Sequence, residues 1–256
     1  MKRWFQPPPV TDVHRGDYRR WDLGLDSASD RVQFLEALGR RVIETYLAPL
    51  EYLSGGRTAI KIDVTEFVDR LFDPSGNVSD EFVSFGGEVV AAWADESFAG
   101  RTLAMPPAPH ESRPAFDAIS LAEDQEGIYI CLIQGKTTPH NASNEANLGA
   151  RQLGRLERGD FQRELAAALE SIARRMPDSG AKKSLLRALT DPSRRRYVVS
   201  TVHEQQPPTD VLGNYDRHIP GAFVRRTASF IRFNPWQAAW QAAGNSAHVE
   251  ASRRSP

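Results

Sequence analysis

The sequence predicts a mixed α/β protein, and three observations carry that reading. Two amphipathic stretches of helical period, near residues 31–53 and 80–98, come first. Two short apolar runs, residues 115–121 and 128–133, then flank the polar turn EDQEG and read as a hairpin. A long helical stretch and one more apolar run follow. Residues 80–203 therefore run helix, short strand, strand, strand, helix, strand, a mixed α/β core whose middle strands pair. With 256 residues, 40% of them hydrophobic, the chain can bury a sizeable core.

The first thirty residues are proline-rich and then polar, and are expected to lie over the surface or stay flexible. Ser29 or Asp30 caps a helix from about Arg31 to Leu53, with Phe34, Leu35, Leu38, Val42, Ile43, Tyr46 and Leu47 as its apolar stripe. Pro49 is expected to kink or shorten it. Residues 57–64 alternate apolar and polar and read as a strand or extended lead-in. Residues 65–72 read as a short helix closed by the turn DPSGN. Ser79 caps the helix over Asp80 to Phe98, and residues 101–105 form a short strand.

Past the hairpin, Asn144 or Ser143 is the expected cap of a helix reaching about Met176, with a break near Gly159. Its stripe is Leu148, Leu153, Leu156, Phe161, Leu165, Leu169 and Ile172. A short helix over Lys182–Leu189 and a strand over Tyr197–Val202 complete the core. The last forty residues hold scattered aromatics and end in a polar tail. The expected divisions are an N-terminal extension, mainly helical, over 1–79, a core over 80–203 and a C-terminal extension over 204–256.

Composition excludes several classes. No apolar run is long enough to span a membrane, and MKRWFQPPPV lacks the apolar stretch of a signal peptide. The one cysteine, Cys131, lies in an apolar run, which fits a core thiol in a reducing, cytoplasmic setting. Zinc spacing, a Walker loop, a dinucleotide fingerprint and a nucleophile elbow are all absent from the sequence. The net charge of -1 is unevenly spread. Residues 1–150 carry 14 Lys/Arg against 23 Asp/Glu, and residues 151–256 carry 18 against 10. The basic half suits a polyanion, although the two halves could equally complement each other within one fold.

Chemistry enters where polar residues interrupt apolar patterns. In IYICLIQGKTT, Gln134 and Lys136 share one face of the strand end, because strand side chains alternate. Asp117 opens the preceding strand, and antiparallel pairing sets the start of one strand beside the end of the other. Glu88 interrupts the apolar stretch FGGEVVAAW. A carboxylate and an amide oxygen are hard ligands that suit Mg²⁺. A lysine beside them can orient a water or stabilise charge on a phosphate. His140, Arg151, Gln152 and Arg155 follow, placed to meet a nucleic-acid backbone. The plainer readings are a strand leaving the core at Gln134 and Lys136, capping residues after it, and a solvated helix face.

Taken together, Asp117, Gln134-Gly135-Lys136 and the upstream Glu88 resemble the PD-(D/E)XK nuclease superfamily over roughly residues 80–203. The resemblance implies a restriction-endonuclease-like αβββαβ core. It implies metal ligation by Asp117, Gln134 and Glu88, with Mg²⁺ or Mn²⁺ as cofactor, and a catalytic role for Lys136. Two positions depart from the pattern. Phe116 stands where the proline precedes the aspartate, and Gln134 replaces the usual acid, which removes one negative charge. Q-x-K versions occur in the superfamily, including Mrr-like restriction enzymes and some antiphage effector nucleases. The layout is also similar to the nuclease subunit of Hachiman-type defence systems. The expected function is thus a Mg²⁺-dependent DNA endonuclease of antiphage defence, working beside a helicase or sensor subunit. The alternatives are an inactive nuclease-fold module that binds nucleic acid or protein, and a structural subunit whose terminal aromatics dock a partner.

Overall fold

A computed structural model of the chain describes residues 17–22, 28–53, 67, 69–99, 101–108, 115–205, 215–221 and 225–254. The strands are β1 (Asp17–Asp22), β2 (Thr102–Met105), β3 (Ala118–Asp124), β4 (Gly127–Thr138), β5 (Arg195–His203) and β6 (Arg226–Arg232). The helices are α1 (Ala28–Leu53), α2 (Asp80–Ala99), α3 (Ala142–Glu157), α4 (Gln162–Arg175), α5 (Ser179–Leu186), α6 (Tyr215–His218) and α7 (Trp236–Arg254). The strands form one mixed, open sheet in the order β1-β6-β5-β4-β3-β2. β2, β3 and β4 pair antiparallel, and β4, β5, β6 and β1 run parallel. The fold class is α/β, and residues 80–203 carry the element order read from the sequence.

Strand alternation sorts the core into two faces. Ile130, Leu132, Tyr197, Val199, Ala228 and Phe230 point to one side and pack with α3, α4 and α6. Cys131, Ile133 and Val198 point to the other, against Ala91 and Ala92 of α2. On that side the α1 stripe from Phe34 to Leu47 is buried as its period requires, against α2 and α7. Ser79 caps α2, its Oγ accepting from the Phe82 N–H at 3.1 Å. The DPSGN turn closes through Asp73, whose Oδ1 accepts from the Ser75 and Asn77 N–H groups at 2.8 and 3.0 Å.

Several boundaries differ from the sequence reading. β3 begins at Ala118 rather than 115, and β4 continues to Thr138, so Gln134 and Lys136 lie within a strand. Asn141, not Asn144 or Ser143, caps α3, accepting from the Asn144 N–H at 3.0 Å. The long helix breaks where expected, with Gly159 at φ 100° between α3 and α4. Leu148 is exposed rather than part of the stripe. α1 continues past Pro49. The strand expected over 57–64 lies outside the described residues, as do 65, 66 and 68 of the helix expected over 65–72, of which Phe67 and Asp69 are helical and 70–71 form a turn.

The termini differ most. Within the first thirty residues, β1 joins the sheet beside β6. The polar tail is instead the 19-residue helix α7. Its buried face is built from Ala239, Ala243, Ala247 and Ala251 around Trp240, and alanine gives little hydropathy contrast with the outer face. The divisions at 79 and 203 therefore do not coincide with edges of the sheet, since strands from both flanks extend it.

Cys131 is fully buried, and burial pushes its thiol up to about 12. Only the thiolate reacts, so the native protein should resist a disulfide reagent near neutral pH. Labelling should rise only as denaturant unfolds the chain, to one thiol per molecule. Rapid labelling in native buffer would mean that the core opens locally around β4.

Candidate active site

The candidate site forms where β3 starts beside the far half of β4. Ala118 pairs with Ile133, and the Asp117 N–H donates to the Ile133 carbonyl at 2.8 Å. One step further along this register, Asp117 faces Gln134. The contact is direct: Gln134 Nε2 donates to Asp117 Oδ2 at 2.6 Å. The Gly135 N–H donates to the same oxygen at 2.7 Å. Lys136 is two residues on, on the same face, and half-buried. The sequence reading placed these three side chains together; the structure joins Asp117 to Gln134 and sets Lys136 on the same face of β4.

The roof is α3. A Cβ built on Gly149 would lie 3.0 Å from Val199 Cγ1, 3.5 Å from Gln134 Cγ and 3.6 Å from Lys136 Cγ. A larger residue there would push the helix away from the site. On the opposite face α2 presses on Gly135, where a Cβ would come 2.9 Å from the Glu88 Cα and 3.4 Å from its Cγ. Glu88 is thus one residue from the site in the ladder, but its helix lies against the face away from Gln134 and Lys136.

Gln134 is 3% exposed, and its Oε1 is buried with no hydrogen-bond partner among the described residues. Such an atom costs about 1–3 kcal/mol unless a ligand or water satisfies it. The amide is turned so that Nε2, not Oε1, faces Asp117; half a turn about its last torsion exchanges them. The donor set, a carboxylate and an amide oxygen, fits Mg²⁺ or Mn²⁺. Among the described residues no three His, Cys, Asp or Glu side chains cluster. The sequence matches no family model, and no curated protein resembles it closely enough to suggest a relative.

The more distant candidates separate. His140 and Arg151 are exposed, and Gln152 is half-buried with its Oε1 lacking a partner among the described residues. Arg155 is engaged: its Nε lies 3.0 Å from Asp160 Oδ2 and its guanidinium 4.7 Å from the Phe161 ring centre. The Arg194-Arg195-Arg196 run is structural. Arg194 is 3% exposed and ties Asp124, Glu126 and the Ile128 carbonyl, while Arg195 donates to the Ala188 and Leu189 carbonyls. Asp124 is held below the usual carboxylate range, chiefly by its hydrogen bond to Arg194.

The sequence reading missed Thr201. It pairs with Lys136 on the neighbouring strand, shares its face, and is fully buried with Oγ1 lacking a partner among the described residues. Ser200, paired with Gly135, is similarly buried and unpartnered on the opposite face. The signal was present as Ser-Thr interrupting the apolar run YVVSTVH.

Gln134→Glu tests the electrostatics without assaying activity. It would set two carboxylates where an amide now donates, raising the proton affinity of the pair. Without metal the variant should melt below the parent at neutral pH, by roughly 1–3 kcal/mol, and recover on acidification. Added Mn²⁺ or Mg²⁺ should restore stability by mass action. A variant as stable as the parent and indifferent to metal would count against an ion-binding role.

Proposed function

We propose that the chain is a Mg²⁺- or Mn²⁺-dependent nuclease that hydrolyses phosphodiester bonds in DNA. The observation that carries this reading is the contact of Asp117 with Gln134 on the next strand, with Lys136 two residues along the same face. The helix, three-strand, helix, strand order of residues 80–203 supports a restriction-endonuclease-like core. A defence role beside a helicase or sensor subunit, in the cytoplasm, rests on the sequence resemblance alone.

In this mechanism Asp117 and Gln134 would hold the ion, and Glu88, whose helix packs against Gly135 on the opposite face, takes no part. When bound, the ion supplies positive charge against the scissile phosphate and activates water. Asp117 is fixed by the Gly135 N–H, so its carboxylate is oriented before any ligand arrives. The Lys136 stem packs under Gly149 of α3 on the same face. Its ammonium donates to the attacking water or a phosphate oxygen, orienting the first and neutralising charge on the second. The buried Gln134 amide excludes bulk water from the strand side of the site.

One observation favours a second reading, an inactive nuclease-fold module that binds nucleic acid or a protein partner. Asp117 Oδ2 already accepts two N–H bonds, one from Gln134, so this carboxylate oxygen has partners without a metal. Supercoiled plasmid incubated with Mg²⁺, Mn²⁺ or EDTA separates the two. Nicking in metal and none in EDTA is expected of the nuclease. Plasmid left intact in both metals, even after Gln134→Glu, would favour the inactive module.

A further inference from the structure

α6 is only one turn long, yet it is firmly placed. Tyr215 is buried, and its hydroxyl donates to the Tyr197 and Thr227 carbonyls at 2.8 and 3.1 Å. Ile219, just past the helix, is fully buried. α3 comes close because Gly154 has no side chain: a Cβ there would lie 2.7 Å from the His218 carbonyl oxygen. This docking sets His218 against α3 at Gly154, within electrostatic reach of Arg151 and Arg158 as well as of Arg217 next to it in α6.

The three arginines are exposed, and none has an ion-pair partner among the described residues. Their mutual field is felt at His218, which is held below its ordinary pKa, first by burial and then by Arg151, Arg158 and Arg217, with Asp216 opposing. Like charges that outnumber their counter-charges, here three arginines against Asp216, destabilise a fold unless an anion joins them. Several neighbouring arginines are engaged, Arg155 by Asp160 and Arg225 by Glu157 at 2.7 Å, which leaves these three as the free cations around α6 among the described residues there.

We propose that Arg151, Arg158, Arg217 and His218 form a docking surface for the phosphate backbone of a nucleic acid. The inference rests on the nuclease reading for its choice of polyanion. Gly149 of the same helix roofs Gln134 and Lys136. Nine residues separate Gly149 from Arg158, about 13 Å at 1.5 Å per residue. A strand running along α3 would thus meet the arginines within a few phosphates of the candidate site. Contacts of this kind position the chain and carry no base information.

The test is fluorescence anisotropy with a labelled DNA oligonucleotide in EDTA, where cleavage plays no part. The parent should bind with a steep salt dependence. Arg151→Ala/Arg158→Ala/Arg217→Ala should weaken binding roughly a hundredfold near 0.1 M salt and flatten the log–log slope by about two to three. Arg70→Ala/Arg253→Ala/Arg254→Ala, matched in charge on other faces, should bind like the parent. Gly154→Ala, which displaces α6 without changing charge, should weaken binding several-fold. The proposal is overturned if the first triple variant binds like the parent, if the parent does not bind DNA, or if polyglutamate competes as well as DNA. That last result would indicate an acidic protein partner. A parent that binds through these arginines yet leaves plasmid intact in every metal keeps the surface and removes the nuclease reading.

Discussion

Lys136→Ala should abolish metal-dependent nicking of plasmid, lowering the rate at least about a hundredfold, and leave the fold intact. The lysine is half-buried on β4, and its neighbours are the Asp117–Gln134 pair on one side and Thr201 on the other. Its stem packs under α3, so truncation should cost no more than about 1 kcal/mol of stability. The effect should fall on kcat, because the ammonium acts on charge that develops as the phosphate is attacked. Lys136→Arg keeps the charge but not the compact ammonium, and should restore little activity. The checks are single-turnover cleavage in Mg²⁺ and a melting curve for each variant. Cleavage at the parental rate in Lys136→Ala would move the chemistry elsewhere.

The largest effect on stability is expected at Asp95, on the opposite face of the sheet from this chemistry. Asp95 is 5% exposed at the end of α2. Its Oδ1 accepts from Arg101 Nη1 at 2.5 Å, and its Oδ2 from the Ser120 hydroxyl at 2.5 Å. Burial pushes the Arg101 guanidinium toward losing its proton, but Asp95 and its other neighbours outweigh this, so its pKa is raised overall. Asp95→Ala would leave that cation buried without its partner and strand the Ser120 hydroxyl. A cost of about 3–5 kcal/mol is expected, read from denaturant midpoints at constant m-value. Replacing both ions together, Asp95→Leu/Arg101→Met, should recover most of it, because an apolar pair carries no desolvation penalty. A single variant within 1 kcal/mol of the parent, on the order of ordinary surface changes, would mean that water reaches the pair.

Much of the candidate site was legible because it is local. Strand alternation alone puts Gln134 and Lys136 on one face. Antiparallel pairing across a short turn alone puts Asp117 opposite Gln134. Glu88 was different. The sequence gives its helix, but not the face against which that helix lies, and it packs over Gly135 on the side away from Lys136. The role of the arginine run 194–196 was illegible in the sequence for a related reason. A charge run near a strand normally meets solvent, and here Arg194 is buried by the β3–β4 turn it clamps, more than sixty residues earlier in the chain.

By itself, then, the sequence determined the α/β class, the element order of residues 80–203, the buried stripe of α1 and the meeting of Asp117, Gln134 and Lys136. Each follows from the period of apolar residues or from the geometry of neighbouring strands. Tertiary structure decided the rest: that β1 and β6 extend the sheet from both flanks, that α7 closes one face, that Thr201 lies beside Lys136, and which arginines have partners. These depend on parallel pairing between segments far apart in sequence, and parallel register leaves no trace in local periodicity. Alanine-rich packing, as in α7, hides equally well, since it fills space without marking a face.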